Sequence, residues 1–162
     1  MKILYAFIFL MVVFACRPQG ESNQALQRRV DSLSEKIENA YKPGFGEFMS
    51  GIQAHHSKLW FAGQHENWRL ADFEVHEIME AVEDIRVYQT DREESKLIGM
   101  IDQPLDSVNR AIAQRDKTFF KTAYTSLTNT CNSCHRATHF EFNIVKIPDS
   151  QPFSNQEFKL GK

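Results

Sequence analysis

The chain has 162 residues, with 19 Lys and Arg against 21 Asp and Glu and a formal charge of −2. That length suits one domain with a core plus accessory segments, since two full domains would each be small. It carries no basic surplus of the kind that holds a nucleic-acid backbone, so nucleic acid is excluded as the expected partner. Thirteen Phe against seven Gly and five Pro favour helices around an aromatic-rich interior.

In chain order, the first expectation is an address. Lys2 supplies a positive start, and the apolar run from Ile3 to Phe14 is short for a bilayer span but suits a cleaved signal segment over residues 1–15. Val13-Phe14-Ala15-Cys16 closes the run and resembles a bacterial lipoprotein signal, in which Cys16 becomes the lipidated N-terminus. An ordinary secretory signal with an incidental Cys is the alternative. Either way the mature protein is expected to be exported, to the periplasm or cell envelope, with a membrane as its partner where Cys16 carries lipid.

Residues 16–24 are polar and aperiodic and read as a tether. Leu26, Val30, Leu33 and Ile37 then recur at 4-3-4 spacing until Pro43-Gly44, which predicts a short helix within 25–42. Such a stripe serves as a spacer, as a packed helix, or as a coiled coil that makes a homo-oligomer.

Four further helices are expected within 44–140. Phe48 or Met49, Ile52, His56, Leu59 and Gly63 share one face, and Gly63 to Asn67 reads as a turn. Ala71, Val75, Ile78, Val82 and Ile85 make the next stripe, widened by Phe73 and Met79, and a polar stretch follows from Tyr88 to Glu94. Leu105, Val108 and Ile112 form a third after Pro104, at a position where a first-turn proline is tolerated. Asp116 is the expected N-cap of a fourth, in which Phe120, Tyr124, Leu127, Cys131 and Cys134 follow 4-3-4-3. The pattern predicts an all-α protein, an antiparallel four-helix bundle with an extra short N-terminal helix and the cleaved signal segment. Residues 141–162 are read as a C-terminal tail, in which Ile144-Val145-Lys146-Ile147-Pro148 is the one run that looks extended and is expected to pack on the surface, since a lone strand has no partner. Trp60, Phe61 and Trp68 are read as core, with a place in a pocket wall as the alternative.

Cys131-Asn132-Ser133-Cys134-His135 is the C-x-x-C-H pattern of covalent c-type haem attachment. Thiols at i and i+3 on a helix point to one side and can form thioethers to two vinyl groups, while the adjoining His135 supplies an imidazole to the iron. One motif implies one haem c. A thioredoxin-like redox pair expects a βαβ context instead, and a zinc site would need more ligands, of which His139 is the near candidate. With Cys16 assigned to lipid, the three cysteines need no disulfide.

Two other patterns are weaker. His76-Glu77-Ile78-Met79-Glu80 lacks the second His of H-E-x-x-H. Glu74, Glu77, Glu80, Glu83 and Asp84 read as a solvated face. With no Ser/His/Asp set or phosphate loop either, an enzyme is not expected.

The stretch from Leu105 to His135, with Ala111-Ile112, Asp116, Phe120, Tyr124, Leu127 and the terminal haem motif, resembles the last two helices of class II c-type cytochromes, the cytochrome c-prime group and its low-spin relatives. The likeness spans roughly Phe45 to His139, and only the haem motif within it is specific. The resemblance implies a four-helix bundle with the haem near its C-terminal end and the distal position on the first bundle helix, near Phe48-Met49. It makes Met49 the candidate distal ligand of an electron carrier that works with redox partner proteins. An apolar distal side would instead give a five-coordinate gas-binding or haem-sensing module. His56 lies on the same face two turns on, about 10 Å of rise, and is the alternative distal candidate, which would lower the potential relative to Met ligation.

Overall fold

The structure, a computed structural model, describes residues 20–38 and 40–160. Every regular element among them is helical. The signal segment and Cys16 lie outside the described residues. No described helix is long and apolar enough to cross a membrane.

The chain divides into two compact units, 1–41 and 42–162. The first contains α1 (Gly20–Glu38). This helix begins within the segment 16–24 that was expected to be an aperiodic tether, because 20–24 holds no proline or β-branched residue to stop a helix spreading back from the stripe. Leu26, Val30, Leu33 and Ile37 are all 47–68% exposed, so the stripe is not a packed core face.

The second unit contains α2 (Phe45–Gln64), α3 (Trp68–Tyr88), α4 (Glu93–Leu97), a 3-10 turn (Ile98–Ile101), α5 (Asp102–Gln114) and α6 (Lys117–Ala137). The starts follow their sequence signals. The Gly44 N–H donates to the Glu47 carboxylate at 2.8 Å, as in a capping box. Asn67 accepts from Leu70 N–H at 3.3 Å, and Asp116 Oδ1 accepts from the Thr118 and Phe119 N–H groups, both at 2.9 Å, as N-caps do. Pro104 sits in the first turn of α5, where its missing N–H costs nothing.

Packing closes a ring: α2 lies on α3, α3 on α5, α5 on α6, and α6 on α2. The buried stripe residues meet inside it, among them Leu59, Val75, Ile78, Val82, Val108, Phe120, Tyr124 and Leu127. Phe120 is flanked by Trp60, at 6.4 Å between ring centroids, and by Trp68 at 6.1 Å. Gly63 faces the same ring so closely that a Cβ there would overlap it.

One expectation needs correction. Glu74, read as part of a solvated face, is 1% exposed and held by His55, whose Nδ1–H donates to it at 2.7 Å. Its spacing matched the acidic stripe, but α2 covers this position through His55 and Lys58. The tail contributes Phe158 to the core at 0% exposure, 5.7 Å from Phe61 between ring centroids. Asn67 Nδ2 donates to the Phe158 carbonyl at 3.2 Å, so one residue starts α3 and fastens the tail.

Candidate functional site

At the end of the unit away from Gly63 and Phe120, a cavity of about 420 Å³ opens between α2, the α4 and 3-10 segment, α6 and the tail. That volume lies in the range of small-molecule and cofactor pockets. Met49 and His56 line it from α2, and Cys131, Cys134 and His135 from α6. All five candidates that the sequence singles out in the bundle therefore meet in one cavity. Trp60, Phe61 and Trp68 do not line it; they are spent on the aromatic core.

Cys131 and Cys134 are free, partly buried thiols one turn apart on α6. Burial pushes Cys131 up to about 11, with the neighbouring Cys134 adding to the shift, and burial likewise raises Cys134, with the Glu94 charge second. They lie in the last turns of the helix, whose negative dipole end also disfavours a thiolate. A redox-active pair needs the opposite, a lowered pKa. For zinc, no group of three or more His, Cys, Asp or Glu gathers at metal-binding separations among the described residues. His139 is exposed.

His135 is held in a particular tautomer. Its Nδ1–H donates to the Asn143 carbonyl at 2.6 Å, which leaves Nε2 with its lone pair free, the arrangement of an imidazole prepared to ligate a metal. The chain reaches that position because α6 ends in a Schellman motif. Phe140 N–H donates to His135 O at 2.7 Å and His139 N–H to Arg136 O at 3.4 Å, with His139 in the left-handed region at φ 65°. The tail then doubles back across the motif.

His56 is arranged differently. Its Nδ1 lies 2.9 Å from the Tyr124 hydroxyl and its Nε2 3.0 Å from Thr128 Oγ1. The Tyr124 hydroxyl also donates to the His56 carbonyl at 2.7 Å, and the rings stack at 4.5 Å. Burial lowers the imidazole to about 4, so it is neutral at pH 7. Ligating a metal through His56 would break at least one of these buried bonds. Met49 is partly buried against the core, and no hydrogen bond ties its thioether among the described residues.

Sequence reasoning missed the third wall. Arg92 and Glu94, read as a polar connection, line the cavity with Ile98 and Met100. Arg92 grips Glu94 at 2.6 and 3.2 Å and lies over the Phe45 ring at 5.1 Å. A five-residue helix and a four-residue turn are too short to show periodicity, and no motif marks them.

The donor set fits a c-type haem. Two cysteines one turn apart on α6, the histidine that follows them and the Met49 thioether of α2 all belong to the lining of this cavity. A haem iron takes its equatorial ligands from its own ring, so the chain need supply only axial donors. The chain matches no known family model, no curated protein and no solved structure.

Proposed function

We propose that this protein is an exported, lipid-anchored mono-haem c-type cytochrome that transfers single electrons, built as an antiparallel four-helix bundle of α2, α3, α5 and α6. The observation that carries the reading is the meeting of Cys131, Cys134, His135 and Met49 in one cavity, with the His135 Nδ1–H already committed to the Asn143 carbonyl. Lipid on Cys16 anchors the chain, and α1 is the spacer between anchor and cytochrome.

When bound, the haem supplies the one-electron iron couple. Cys131 and Cys134 would hold it by thioether bonds, and His135 Nε2 would ligate the iron. Met49 would be the second ligand in preference to His56, because no hydrogen bond engages its sulfur among the described residues while both His56 nitrogens are engaged. An axial Met raises the potential relative to a second His. Ile52, Ile98 and Ile101 make part of the pocket wall buried and apolar, and there the ligands and nearby dipoles would tune that potential. Electrons arrive from and leave to redox partner proteins, since a single haem cannot conduct over distance alone.

The test is an absorption spectrum of the exported protein, oxidised and reduced, with and without carbon monoxide, beside a denaturing gel stained for haem. The expected result is covalent haem with a low-spin spectrum that carbon monoxide leaves unmoved. Met49→Leu, which keeps the packing, should lose that spectrum and admit carbon monoxide. A gel with no haem sinks the reading. A high-spin spectrum that carbon monoxide shifts in the unaltered protein would make it a gas binder.

A further inference from the structure

We propose that Asn132, the residue after the first cysteine of the motif, is a positioning residue that holds the chain's own tail against His135 and so sets how strongly that imidazole binds iron. The inference rests on the cytochrome reading above. Asn132 Nδ2 donates to the Val145 carbonyl at 2.8 Å, and the Val145 N–H donates to Asn132 Oδ1 at 2.8 Å. A carboxamide carries a donor and an acceptor side by side, so it pairs with both backbone groups of Val145 as a neighbouring strand would.

Val145 is two residues beyond Asn143, whose carbonyl accepts the His135 Nδ1–H. On the other side, the Asn143 N–H donates to Phe140 O at 2.9 Å, and Phe140 N–H to His135 O at 2.7 Å. The segment 140–145 is thus pinned to α6 at both ends, with the accepting carbonyl between the pins. Among the described residues, the downstream pin on Val145 is made by the Asn132 side chain. Asp would keep the acceptor and lose the donor, and Ala would lose both.

A carbonyl on Nδ1–H makes Nε2 a stronger donor. A stronger axial donor favours ferric over ferrous iron, which lowers the potential. Releasing the tail should therefore raise it. A residue that merely packed the tail would change stability without moving the potential in a fixed direction.

The experiment compares the holoprotein with its Asn132→Ala and Asn132→Asp variants. Spectroelectrochemical titration gives the potential, and NMR gives the exchange of the His135 Nδ1 hydrogen. In Asn132→Ala the potential should rise and that hydrogen should exchange roughly tenfold faster, as the loss of two hydrogen bonds implies. Asn132→Asp, which keeps the acceptor, should speed the exchange by less, and since its added charge itself lowers the potential, the exchange rate alone is its readout and serves if the Ala variant does not mature. Unchanged potential and exchange in the variants would overturn the proposal while leaving the cytochrome reading standing. Absence of covalent haem from the unaltered protein would overturn both, and the stained gel shows it before any variant is made.

Discussion

At His56, burial decides the protonation state. The folded imidazole takes a proton only near pH 4, whereas its unfolded counterpart does so near 6.5. Between those values the unfolded chain binds more protons, so stability should climb as pH rises through the window and level off above it, by roughly 2–4 kcal/mol in total. His56→Gln, which retains an amide to bond Tyr124 or Thr128, should flatten that climb in urea unfolding curves taken across the window. Gly63 makes a steric prediction. Phe120 cannot retreat from an added Cβ, because Trp60 and Trp68 flank its ring, so Gly63→Ala should cost about 1–3 kcal/mol in chemical denaturation. The grouping of Cys131, Cys134 and His135 on one stretch of α6 beside the cavity was legible from five adjacent letters, because a pattern that local needs no tertiary contact to bring its residues together. The buried state of Glu74 was not, because helical spacing gives a residue's face and says nothing of what another helix places over it.

Among the elements, the long helices were legible because their stripes repeat over 20 residues or so. The α3 and α6 boundaries follow Asn67 and Asp116, residues whose side chains take up the free N–H groups of a first turn. Asp116→Ala should lower stability by about 1 kcal/mol, read as a shift in the unfolding midpoint without a change in slope. The α4 and 3-10 segment was illegible for the converse reason. Its contribution to the site comes from where the connection between α3 and α5 passes, and side chains such as Arg92, Glu94 and Met100 acquire meaning only from that path. The early start of α1 has a simpler cause, since polar residues that accept helical geometry extend a helix as readily as they leave one.

Over the whole molecule, the tail changes most between the linear reading and the fold. Phe158 stands alone among Ser154, Asn155, Gln156, Glu157 and Lys159, so no periodicity marks it, yet it is wholly buried against Phe61. Phe158→Ala should cost about 3–5 kcal/mol in denaturant unfolding, a core-sized loss from a segment without regular structure. The tail also has a place in time. Asn143 and Val145 follow His135 in the chain, so during synthesis the two thiols and the imidazole emerge before the segment that orients the imidazole. A chain cut just after His139 would keep Met49, Cys131, Cys134 and His135 and lose the carbonyl that holds His135 to one tautomer.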